Sequence, residues 1–148
     1  MKLQIMPVSN KIGTSIPFPY YATSGAAALD LHACIDEPIT ILPGKQVTVP
    51  TGIAMAIPEG YVGILAARSS MGVRHGITMG NGVGVIDSDY RGPLRVFLHN
   101  LRDCPYTVEP GDRIAQLMII PVLRPELEIV SSLPDSERGA GGFGSTGR

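Results

Sequence analysis

A carboxylate that ends an apolar strand and stands beside an aromatic residue is placed to act as a general base. The stretch GNGVGVIDSDYRG, residues 80–92, has that form, with the apolar run VGVI leading into Asp87, Ser88, Asp89 and Tyr90. The same Asp-Ser-Asp run is also good hairpin chemistry, since either aspartate can close a turn through its own carboxylate. Both readings stand on this stretch alone. In ARSSMG, 67–72, a strand runs into Arg68, Ser69 and Ser70 at the start of a helical turn. Backbone N–H groups, hydroxyls and a guanidinium gathered there make a phosphate receptor, or simply an N-cap serine beside a solvated arginine. In GDRIAQL, 111–117, Arg113 and Gln116 interrupt an apolar run and face either solvent or a ligand. Asp30 lies between Leu29 and Leu31, where a carboxylate needs a cation, a donor or metal-bound water, unless it faces solvent. Finally, RGAGGFGSTGR, 138–148, places Phe143 among five glycines, an aromatic that a plain spacer does not need.

Other chemistries find less support. There is no Walker A loop and no dinucleotide fingerprint. Cys34 and Cys104 form no CxxC pair, and His32, His75 and His99 are scattered. Free thiols and structural histidines are expected rather than a zinc site. A net charge of −1 leaves no electrostatic footprint for nucleic acid. The absence of an 18-residue apolar run and of a signal-peptide pattern at the N-terminus leads to the expectation of a cytoplasmic protein.

Short strands must position these residues. Eighteen glycines and thirteen prolines in 148 residues, with abundant valine and isoleucine, predict many short strands joined by tight turns. KLQIM reads as a strand, and residues 45–68 read as three strands cut by PTG and PEG. Residues 92–100 alternate Leu94, Val96 and Leu98 against Arg95, Phe97 and His99, and residues 113–122 follow the EPGD turn as a further strand. Helix is expected only around 69–75, capped by Ser69 or Ser70. The predicted fold class is all-β, a sandwich, jelly roll or barrel, with residues 1–130 as one domain. Residues 131–148 follow as a connector and flexible glycine-rich tail.

In order, AAALDLHA (26–33), ARSSMG (67–72), GNGVGVIDSDYRGPLRV (80–96), GDRIAQL (111–117) and RGAGGFGSTG (138–147) resemble the five motifs of the trimeric dUTP pyrophosphatases, the dUTPases. The resemblance implies a jelly-roll-like distorted β-barrel and a homotrimer with active sites at subunit interfaces. It also implies Mg²⁺-assisted hydrolysis of dUTP to dUMP and pyrophosphate. On this resemblance Asp87 is the base that activates water, and Asp30 acts indirectly through metal-bound water. Arg68, Ser69, Ser70 and Gln116 are phosphate contacts, while Asn81, Val85, Ile86, Tyr90 and Arg95 surround the nucleoside. Arg138 reaches the γ-phosphate and Phe143 stacks on uracil. Gly144 and Ser145 supply donors as the tail closes over the site as a lid, on a neighbouring subunit. The sister activity, dCTP deamination, calls for a glutamate near the hairpin, and residues 80–92 contain none. A nucleotide-responsive regulator with the same motifs is the other alternative.

Overall fold

The computed structural model describes residues 1–142. Among these, the valine- and isoleucine-rich runs form twelve strands: β1 Gln4–Pro7, β2 Tyr20–Tyr21, β3 Leu29–His32, β4 Ile39–Ile41, β5 Gln46–Pro50, β6 Ile53–Ala56, β7 Tyr61–Ala66, β8 Ile77–Met79, β9 Gly84–Ile86, β10 Arg95–Asn100, β11 Tyr106–Val108 and β12 Arg113–Pro121. One π-helical turn, Ser70–Arg74, joins β7 to β8. The all-β expectation holds, and the four sheets wrap into a distorted, jelly-roll-like barrel. The largest sheet runs β2-β3-β12-β7-β9, and a three-stranded sheet runs β5-β10-β8. The pairs β1-β6 and β11-β4 complete the wall, and every strand pair is antiparallel.

Period-2 patterning explains which side chains fill the interior. On β10, Val96, Leu98 and Asn100 point inward, while Arg95 and Phe97 face out. Leu31, Ile41, Val49, Ile53, Leu65, Ile77, Leu98, Ile114 and Leu117 are sealed in the same core. Burying each such aliphatic side chain contributes about 1.5–3 kcal/mol. Asn100 is fully buried, yet its amide donates to the carbonyls of Ile41 (2.9 Å) and Cys104 (2.8 Å), so its burial leaves no donor stranded.

The turn signals act as read. At PTG, Gly52 has φ +73° and lies against Cys34 and Ile12, with no room for a Cβ. At EPGD, the Asp112 N–H donates to the Glu109 carbonyl at 3.1 Å and the Asp112 carboxylate accepts from the Glu109 N–H at 2.9 Å, so the turn is closed twice. The helical turn departs from expectation in its cap. Ser69 already has helical dihedrals (φ −55°, ψ −40°) and makes no side-chain capping bond. An N-cap serine needs an extended backbone to reach back to the first N–H groups, and this one does not have it. Its hydroxyl is therefore left exposed beside Arg68.

Candidate active site

Two groups of polar residues stand out, built by different strands. The first surrounds a pocket of about 390 Å³, within the usual range for small-molecule sites. Its floor is core, with Leu65, Met79 and Leu94 all buried. Its walls bring together Asn81, Val85, Ile86, Asp87, Tyr90 and Arg95, six residues singled out from the sequence. Gly84 makes the β7–β9 approach possible, because a Cβ there would lie 2.9 Å from the Leu65 Cβ. Beyond β9 the chain turns, with the Tyr90 N–H donating to the Asp87 carbonyl at 3.2 Å. The turn thus uses the Asp87 main chain. Its carboxylate is exposed and free of hydrogen bonds among the described residues. Tyr90 is fixed by its hydroxyl, which donates to the Pro93 carbonyl at 3.3 Å, and by its ring lying over Gly92, where a Cβ would collide with it.

The pocket also has walls that sequence reasoning did not name: Leu65, Met79, Pro93, Leu94 and the half-exposed Phe97. Arg95 and Phe97 stand on the outward face of β10, so the strand's alternation carried the signal for Phe97.

The second group lies across β3, β12 and the exit of β7. All four residues of β3 are buried, including Asp30 and His32, so this strand is covered on both faces. The Asp30 carboxylate takes one arginine on each oxygen: Arg68 Nε at 2.9 Å from Oδ1 and Arg113 Nη1 at 3.1 Å from Oδ2. The partner that a buried carboxylate requires is therefore a pair of guanidinium groups. Gln116 donates from Nε2 to the Ala67 carbonyl at 3.0 Å, tying β12 to the segment that presents Arg68. Arg68 Nη1 reaches Ser70 Oγ at 3.5 Å. The group is an anion receptor in outline, with two guanidinium groups on one carboxylate and the exposed Ser69 hydroxyl alongside.

His32 faces Arg113 across the β3–β12 pair and stacks on Tyr20, with ring centroids 5.7 Å apart. Its Nδ1 is buried without a hydrogen-bond partner among the described residues. Burial holds its pKa below the ordinary 6.5; Asp30 pulls the other way, and Arg113 and Arg68 lower it further. The unfolded chain therefore binds this proton first, and stability falls as pH drops below about 6.5 and is flat in this respect above it. A His32→Phe variant, which keeps a ring against Tyr20, is expected to show a shallower acid-side loss of Tm than the parent. Thermal melts across pH 5 to 8 check this, and parallel curves for the two proteins would refute it.

None of Asp30, Arg68, Ser69, Ser70 or Gln116 lines the pocket that holds Asp87. Arg138 lies in exposed chain beyond the last strand, where its Nε donates to the Gly141 carbonyl at 2.8 Å. Phe143, Gly144 and Ser145 fall outside the described residues. The described residues contain no group of three or more His, Cys, Asp or Glu side chains able to hold a metal ion.

Comparison with known proteins supplies the family. Residues 14–147 match the dUTPase family model. The chain belongs to the dUTPase family. It is 49% identical to the deoxyuridine 5'-triphosphate nucleotidohydrolase of Alcanivorax borkumensis, across all of this chain and 99% of that one. It is 47% identical to the enzyme of the same name from Idiomarina loihiensis, over 99% and 98% of the two chains. Among solved structures, the dUTPase of Staphylococcus bacteriophage 80alpha with dUPNHPP superposes with a TM-score of 0.88 at 29% identity, covering 99% of each chain. A substituted dUTPase from phage phi11 of S. aureus, described with a structural Mg(II) ion, gives 0.78 at 25% identity over 89% of this chain and 98% of that one.

Proposed function

We propose that this member of the dUTPase family hydrolyses dUTP to dUMP and pyrophosphate, limiting the dUTP available to DNA synthesis and supplying dUMP. The observation that carries the reading is the unbonded Asp87 carboxylate on the wall of the pocket that also holds Asn81 and Tyr90. Asp87 takes a proton from water as the water oxygen bonds to the α-phosphorus. The bond from that phosphorus to the bridging oxygen breaks, and pyrophosphate leaves with the electron pair. The proton rests on Asp87 until solvent removes it.

The remaining groups position and neutralise, which is most of what phosphoryl chemistry asks of a protein. Asn81 and the main chain of residues 81–86 pair with the uracil edge, and a base with the wrong pattern leaves those groups unsatisfied. Tyr90 packs against the sugar, where a ribose 2'-hydroxyl would not fit. Val85, Ile86 and Arg95 enclose the nucleoside. Arg68, Ser69, Ser70 and Gln116 receive the phosphate chain. The tail supplies Arg138 to the γ-phosphate, Phe143 to the base face, and Gly144 and Ser145 as further donors.

The donor set suits Mg²⁺ carried on the nucleotide rather than in a protein cage, since this ion keeps several waters and binds one or two carboxylates plus substrate phosphates. Asp30 would meet such an ion only through water, since each of its carboxylate oxygens already carries an arginine. Bound there, the ion would neutralise charge on the phosphate oxygens.

A homotrimer completes this reading. The pocket and the phosphate receptor are separate on one chain, so sites at subunit interfaces would join the halves from different copies. Leu123, Leu127, Ile129 and Leu133 are almost fully exposed on the chain that follows β12, which supports burial against another copy.

The test is incubation with dUTP, dCTP, dTTP and UTP in turn, each with Mg²⁺, with separation of mono- and diphosphate products. Formation of dUMP and pyrophosphate from dUTP alone is expected. Deamination of dCTP, or binding of dUTP without turnover, would overturn the reading.

A further inference from the structure

We infer that Arg113 is a positioning residue, which acts through the second oxygen of Asp30 to aim the Arg68 guanidinium at the polyphosphate. This rests on the dUTP-hydrolase reading for the identity of the ligand. It rests on the sheet for the mechanism.

Arg113 is on the Asp30 face of the sheet only because β12 is irregular. Gln116 stands opposite Asp30 and Ala115 opposite Leu31, yet His32 is opposed by Arg113 rather than by Ile114. Directly opposed residues share a face, and on a regular strand positions 113 and 116 point to opposite faces. The bulge takes up Ile114 as an extra residue, and Ile114 and Ala115 are both fully buried in succession. Arg113, Gln116, Asp30 and His32 consequently line one polar face. A bulge that re-aims a single arginine onto a buried carboxylate is a specific device, and the bond it makes is to Asp30.

The geometry fixes what that bond does. Arg68 uses Nε on Asp30 Oδ1, at 2.9 Å, and spends Nη1 only on a long 3.5 Å contact to Ser70 Oγ, which leaves Nη2 of its guanidinium for another acceptor. Its direction follows the plane of the Asp30 carboxylate. One arginine on one oxygen would let that plane turn about the Asp30 side-chain torsions. Arg113 on Oδ2, at 3.1 Å, closes the rotation from the far side. Gln116, which grips Ala67, fixes the main chain from which Arg68 departs. The Arg68 side chain is mostly covered and that of Arg113 is nearly half exposed, so Arg68 is the member enclosed in the receptor and Arg113 its support.

The test is a double-mutant cycle on Arg68→Gln and Arg113→Gln, with Arg113→Lys as the conservative variant. The readouts are Kd for the dUTP analogue dUPNHPP, kcat and KM for dUTP, and thermal melts. Arg113→Gln is expected to raise Kd and KM about tenfold with little change in kcat. Arg113→Lys, which keeps one donor on Oδ2, should recover most of the loss. In the Arg68→Gln background the Arg113 change should alter Kd by less than about twofold, because the group it positions is gone. Full additivity would overturn the inference by showing that Arg113 meets the phosphates itself. So would an unchanged Kd in the single variant, or a fall in Tm that accounts for every other loss. The binding cycle reads without turnover, so a chain that binds the analogue but leaves dUTP intact would refute the proposed function and still decide this one.

Discussion

Asp87→Asn is expected to lower kcat for dUTP by about 10²- to 10⁴-fold, the usual contribution of a general base. Binding of dUPNHPP should be unchanged or tighter. Both expectations follow from where the carboxylate stands. It is exposed, it accepts no hydrogen bond among the described residues, and the turn beside it is closed by main chain. An amide of the same shape therefore breaks nothing in the fold, and Tm should move by no more than a surface substitution does, within about 0.5 kcal/mol of stability. The lost charge also stops repelling the triphosphate, so affinity has no reason to fall. The change falls on the one capacity an amide lacks, which is accepting a proton from water. Single-turnover rates and calorimetric binding of the same preparation separate the two effects. A variant that turns over normally would place the base elsewhere. One that loses binding and turnover together would make Asp87 a part of the pocket wall.

The parts of this site that could be read from the sequence are those carried by neighbours in the chain. Asn81, Val85, Ile86, Asp87, Tyr90 and Arg95 lie within fifteen consecutive residues, and the chain running through β9 to the start of β10 brings them around one pocket, although the two strands belong to different sheets and form no hairpin. Strand alternation from Arg95 to Asn100 was legible for the same reason, as were the turns at Gly52 and Gly111, where φ of +73° and +85° demands glycine. Contacts made across the sheet were not. Leu65 and Met79 join the pocket from β7 and β8, and nothing local to either residue reports it. The bulge at Ile114 is likewise set by pairing with β3; by periodicity alone Arg113 and Gln116 belong on opposite faces. The missing cap at Ser69 shows the converse limit, since the residue type invites a capping bond that its helical dihedrals refuse. A lone aspartate between two leucines did announce that it needed a partner. Which partner it would find depended on Arg68 and Arg113, 38 and 83 positions away in sequence.

That aspartate carries the second large effect. Asp30→Asn is expected to lower stability by about 2–3 kcal/mol, toward the low end for breaking a buried ion pair, because Arg113 is partly exposed. For a chain of this size the corresponding fall in Tm is about 5–10 °C. An asparagine of the same shape offers one oxygen to two arginines, so its NH₂ group must face the other guanidinium, donor against donor. The carboxylate's negative charge, which balanced one of the two positive ones, is gone as well. Melts in chelator exclude any contribution from a bound metal. A second variant, Asp30→Asn with Arg113→Gln, identifies the cause: removing one of the two stranded cations should return part of the lost Tm, whereas two independent losses would add. Affinity for dUPNHPP should fall in both, since Arg68 loses the anchor that directs it. If Asp30→Asn melted like the parent, the paired arginines would be balanced by solvent alone. The polar face of β3 and β12 would then contribute nothing to the fold, and its burial would have to be explained by the ligand it receives.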